Sequence, residues 1–105
     1  MKFTERNALK EVVKFAKKEF REKKPLAGSV LRVKDVKKVS VGGPLPQHAV
    51  RESHNRYYVV LLDYGANYRV YNFTKTGLMI NGETIEKNSD KIKLLLKSTK
   101  VEYKL

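Results

Sequence analysis

"RNALKEVVKFAKKEFREKK" occupies residues 6–24, and the way its apolar residues recur decides the fold. Leu9, Val12, Val13, Ala16 and Phe20 follow a spacing of three and four, which draws one apolar stripe along a helix. Thr4 suits the N-cap, because its hydroxyl can accept from an amide that has no partner inside the helix. Phe3 is placed to pack on Ala8 as a hydrophobic staple. Pro25 drives Lys24 out of helical geometry. The pattern predicts a helix over residues 4–23 that must bury one face against the rest of the chain.

The rest of the chain reads as strands. "VLRVKDVKKVSV" (30–41) alternates at Leu31/Val33 and at Val39/Val41, with a register slip around Asp35–Lys37. "RYYVVLLDY" (56–64) is the most apolar run and predicts a central strand, and "GAN" (65–67) turns it into a partner, "YRVYNF" (68–73). Asn81-Gly82 suits a two-residue type I′ turn between arms at 77–80 and 83–86. "DKIKLLLKS" (90–98) reads either as a short helix capped by Asn88 or Ser89, with Ile92, Leu95 and Leu96 inward, or as a strand. "KVEYKL" (100–105) alternates as a final strand, with Val101, Tyr103 and Leu105 on one face. The expected fold is α+β: a long N-terminal amphipathic helix packed on one face of a mainly antiparallel sheet of about five strands, in a single domain. "GGPLPQH" (42–48) lacks the donors a central strand needs, so 42–55 reads as a long loop.

Composition narrows the function. The chain has 105 residues, no cysteine and a formal net charge of +12. Disulfides, thiol nucleophiles and Cys-based zinc sites are excluded. The N-terminal residues lack the apolar core of a signal peptide, and no window approaches the roughly 18 apolar residues that span a bilayer. A cytoplasmic protein is the expectation. Residues 1–38 hold thirteen basic and five acidic groups, residues 39–86 four of each, and residues 87–105 six basic and two acidic. The excess thus lies at the two ends, and segregated positive charge marks an anionic partner such as DNA or RNA.

The helix concentrates that charge further. With Lys10 at 0° and about 100° per residue, Arg6 falls at about −40°, Lys14 +40°, Lys17 −20°, Lys18 +80°, Arg21 +20° and Lys24 −40°. A helix built only for solubility mixes signs on its outer face. Here Glu11 and Glu22 border the stripe, Glu5 and Glu19 lie round the other side, and the favourable Glu-to-Lys spacing occurs at Glu19–Lys23. Lys34 and Lys38 would extend the patch if their strand lay beside the helix; with Arg32 and Lys37 they would otherwise protect a sheet edge from pairing.

Two further constellations carry weaker signals. His48 and His54, with Arg51 or Arg56 nearby, could supply the base, acid and charge stabilisation of a metal-independent ribonuclease. Their spacing matches no established motif, and an enzyme is the less favoured class. Tyr57, Tyr58, Tyr64, Tyr68 and Tyr71, interleaved with Arg69, could stack bases or simply pack a sheet. Phosphate-binding loops, a nucleophile elbow and a complete metal-ligand set are missing from the sequence, so no cofactor or metal is expected. The leading expectation is nucleic-acid binding through Arg6, Lys10, Lys14, Lys17, Lys18, Arg21, Lys24, Lys34 and Lys38. The alternatives are the ribonuclease of His48 and His54 and a protein-interaction or inhibitor factor docking on an acidic protein. Pairing of exposed strands could make a dimer, and a membrane partner fits least, because the apolar helix face is needed for the core.

Overall fold

The computed structural model describes residues 4–33 and 57–105. In chain order these form α1 (Glu5–Lys23), β1 (Ala27–Val33), β2 (Tyr57–Asp63), β3 (Asn67–Phe73), β4 (Met79–Glu86), α2 (Asp90–Lys97) and β5 (Thr99–Lys104). The strands make one five-stranded antiparallel sheet in the order β4-β3-β2-β1-β5. The α+β class expected from the sequence is present. The expected loop 42–55, the strand residues beyond Val33, and Lys34, Lys37, Lys38, His48, Arg51, His54 and Arg56 lie outside the described residues.

β2 sits third of five, and both of its faces are covered. Tyr58, Val60 and Leu62 join Val30, Tyr71 and Phe73 against Ala8, Val12 and Ala16 of α1. Val59 and Leu61 join Leu31, Val33, Val70 and Ile85 against Ile92 and Leu95 of α2. Two-sided burial is why residues 58–62 are apolar without alternation. The late segment is a helix because Ile92 and Leu95 lie one turn apart and meet the second sheet face. Ser89 caps it, its Oγ accepting from the Lys91 amide at 3.2 Å. Leu96, expected inward, is 51% exposed; it points past the contact that Ile92 and Leu95 make.

α2 also solves a path problem. β4 and β5 are the opposite edges of the sheet, about 19 Å apart at roughly 4.8 Å per strand spacing. A helix of eight residues covers about 12 Å of that distance and hides the sheet face beneath it. β5 then pairs with β1, leaving Tyr103 opposite Val30. β1 is therefore an inner strand, and Arg32 sits between Tyr58 and Val101 in the register rather than on an edge.

The sequence misleads most at glycine. Asn81 and Gly82 do not form a turn: β4 runs unbroken from Met79 to Glu86, and neither residue has positive φ. Asn81 pairs with Asn72, whose Nδ2 donates to the Asn81 Oδ1 at 2.7 Å. Gly82 lies opposite Tyr71, and a Cβ there would stand 2.7 Å from the Tyr71 ring. Gly82 makes room for an aromatic ring and turns no corner. The real β3–β4 connection is Thr74–Leu78, one element earlier. There Gly77 adopts φ +87°, and the Thr74 hydroxyl accepts from the amides of Thr76 and Leu78. The stretch "PLAGS" (25–29) also reads as a turn in the sequence, which would place Gly28 in it. Gly28 lies inside β1, where a Cβ would meet Leu62 at 2.9 Å and Phe20 at 3.3 Å.

Gly82→Ala tests this reading, because alanine at an unstrained strand position would normally be neutral or stabilising. Tyr71 is pinned from below by Phe15, whose ring meets it edge-on at 5.2 Å, so the new methyl must overpack. A loss of about 1–3 kcal/mol in urea unfolding is expected, and an unchanged midpoint would contradict the close approach.

Candidate nucleic-acid interface

α1 starts where the sequence predicts. The Thr4 Oγ1 accepts from the Asn7 amide at 3.3 Å. It ends at Lys24, which takes a left-handed conformation with φ 44° before Pro25. Lys24 is exposed but lies outside the helix, so helical geometry does not align it with the stripe.

The buried line of α1 is not quite the one read from the sequence. Ala8, Val12 and Ala16 are fully buried, while Leu9, Val13, Phe15 and Phe20 are partly buried at the margins. Alanines lie at the centre because they let the helix approach the sheet closely. Phe15, absent from the expected stripe, wedges edge-on against both Tyr71 and Phe73 at 5.2 Å. The N-terminal turn is held by the Thr74–Leu78 loop, where Gly77 lies close to the Ala8 backbone. These contacts set the rotation of the helix about its axis.

That rotation places the cations. Ala8, Val12 and Ala16 average about −160° on the wheel used above, so the outward pole lies at about +20°. Lys10, Lys14, Lys17 and Arg21 all fall within about 40° of that pole. Arg6, Lys10, Lys14, Lys17, Lys18 and Arg21 are exposed. Lys14 approaches Glu11 at 4.0 Å, with both side chains largely in solvent, a pairing that contributes little. Among the described residues, Arg6, Lys10, Lys17, Lys18 and Arg21 have no ion pair.

Glu19 lies on the sheet-facing side of α1, about 180° from Lys10 on the same wheel. Glu19 pairs with Lys23 at 3.2 Å, as the i, i+4 spacing predicts, and accepts the Tyr71 hydroxyl at 3.0 Å. Burial, reinforced by that bond and by the Glu19 charge, pushes the Tyr71 phenol up to about 12. Tyr71 is 7% exposed, so it cannot stack a base, although Arg69 does sit over its ring at 5.6 Å. Tyr58 is fully buried as well. Tyr64 and Tyr68 are partly buried and pack against the margins of the two cores.

Cations elsewhere are arranged differently. Lys87 contacts Asp63 at 2.7 Å and lies over the Tyr68 ring, and its hydrogen bond holds the Asp63 carboxyl below the ordinary carboxylate range. On α2, Lys91 is separated from Lys93 and Lys97 by roughly 120–160° of helix. No stripe forms there.

A groove of about 570 Å³ runs along the cationic face. Among the described residues it is lined by Arg6, Lys10, Lys14 and Lys17, the carboxylate of Glu11, the apolar flanks of Leu9 and Val13, and the ring of Tyr103. Tyr103 comes from β5 and is 42% exposed. The sequence reading assigned it to a strand but not to the site. Its place beside α1 follows from the pairing of β5 with β1, which no local pattern announces.

No family model, curated protein or solved structure matches the chain. Among the described residues no group of three or more His, Asp or Glu side chains could hold a metal, and no helix is long and apolar enough to cross a membrane.

The Tyr71–Glu19 pair gives a pH test. A phenol raised from 10 to about 12 contributes stability that is complete below pH 10 and is lost as pH rises toward the folded value. Ultraviolet titration should show one tyrosine ionising late, and Tyr71→Phe should remove that late step. A Tyr71→Phe protein that retains it would refute the assignment.

Proposed function

We propose that the chain is a small nucleic-acid-binding domain that grips phosphates through the outward face of α1 and reads little sequence. The observation that carries this reading is the exposed row Lys10, Lys14, Lys17 and Arg21, centred opposite the buried alanines, with Glu19 on the sheet-facing side among Lys23 and Tyr71. A single-sign row suits a polyanion, because each phosphate it neutralises releases condensed counterions. Phosphate contacts orient the partner without specifying bases. Arg6 and Lys18 extend the row, and Lys24, at the helix end, is a peripheral contributor.

The row Arg6–Arg21 spans about 22 Å at 1.5 Å per residue. Four simultaneous contacts would give a slope of log K against log salt of about −3 for a single strand, or nearer −4 for a duplex. Lys17→Ala should reduce the magnitude of that slope by roughly one and weaken binding about 5- to 8-fold at 0.1 M salt, on every sequence alike. Lys93→Ala, on α2, should change neither. Fluorescence anisotropy of labelled oligonucleotides across a salt series measures both quantities. A flat wild-type slope, or equal effects of Lys17→Ala and Lys93→Ala, would count against the reading.

A further inference from the structure

We infer that the groove between α1 and β5 holds an unpaired base, stacked on Tyr103, and that the domain therefore prefers single-stranded nucleic acid to duplex. This rests on the phosphate-binding reading and names its substrate class. Three observations converge on it. The groove carries four cations along one side and one carboxylate, Glu11, so its charge complements a polyanion. It also carries an apolar wall, Leu9 and Val13, which a phosphate chain alone would leave unused. Finally, Tyr103 presents a ring that is 42% exposed, whereas Tyr58 and Tyr71 are spent inside the core.

The chemistry follows from those parts. In a duplex the faces of the bases are stacked on one another, so a ring at the protein surface meets only sugar and phosphate. A single strand can turn a base outward and offer its π-face, and base–aromatic stacking is tolerant of sequence. The groove volume of about 570 Å³ lies within the range of roughly 300–1,000 Å³ found for small-ligand sites. Lys10, Lys14 and Lys17 stand about 4–6 Å apart along the helix axis, close enough to hold the phosphates on either side of one seated base. Tyr103 is held by register: it lies opposite Val30 on an inner strand, and Leu105 beyond it donates its amide to the Gly28 carbonyl at 3.0 Å.

The test compares a short labelled oligothymidylate with a duplex of equal length at several salt concentrations. Tyr103→Ala should weaken oligothymidylate binding about 5- to 150-fold, while leaving duplex affinity and the salt slope unchanged. Tyr103→Leu keeps apolar bulk in the strand and should lose as much, and Tyr103→Phe should keep tight binding. Thermal melts of the three variants establish that each is folded. Equal loss on both probes would make Tyr103 a support of the groove and overturn the inference. Wild-type affinity of both Tyr103→Ala and Tyr103→Leu, with Lys17→Ala still reducing the slope, would overturn the stacking and leave phosphate binding standing. Absence of salt-dependent binding to either probe would remove both readings.

Discussion

Tyr58, Val60 and Leu62 leave β2 toward α1, Val59 and Leu61 leave it toward α2, and none of the five is more than 7% exposed. Fully burying each of the four aliphatic side chains among them contributes about 1.5–3 kcal/mol relative to exposure, so a rearrangement that uncovers either face is strongly disfavoured. A central strand with two apolar faces needs two covers. The N-terminal helix supplies one, and the connection from β4 to β5 supplies the other by crossing the sheet as a helix. From that single requirement come the strand order, the position of β5 beside β1 and the orientation of α1.

The charge pattern is a consequence of the same burial. Once Ala8, Val12 and Ala16 are committed to the sheet, the lysines at three- and four-residue spacings from one another must project the other way. What burial does not require is that the glutamates stay off that pole. Glu19 lies about 160° from that pole, where it meets Lys23 and the Tyr71 hydroxyl, and Glu11 makes one loose contact with Lys14. The outward face is left with a positive field that interior packing does not use, and it borders a groove with an aromatic wall. By contrast, the lysine at the end of β4 is tied into a local network with Asp63 and Tyr68.

Much of this was legible in the sequence where the signal is local. The periodicity of α1, its Thr4 cap, the Glu19–Lys23 pair and the apolar run that makes β2 over Tyr57–Asp63 all depend on neighbours within a few positions. What was not legible depends on partners distant in the chain. Gly82 looks like half of an Asn-Gly turn until Tyr71 is set opposite it, and Gly28 looks like a turn residue until Phe20 and Leu62 crowd it. Ala8 and Phe15 fall outside the expected stripe because the sheet contacts a wider arc of α1 than that stripe covers. Tyr103 joined the site only through strand pairing: alternation gave its face relative to its neighbours, but which helix lay above that face is a property of the whole sheet.

The working surface we propose is the outward face of α1 together with Tyr103. The most direct measurement is a nuclear magnetic resonance titration of isotope-labelled protein with a short single-stranded oligonucleotide at low salt. The largest shift changes should gather on Lys10, Lys14, Lys17, Arg21 and Tyr103, and should recede as salt is added. Changes centred on α2 and its lysines Lys91, Lys93 and Lys97, on the far side of the sheet, would contradict it.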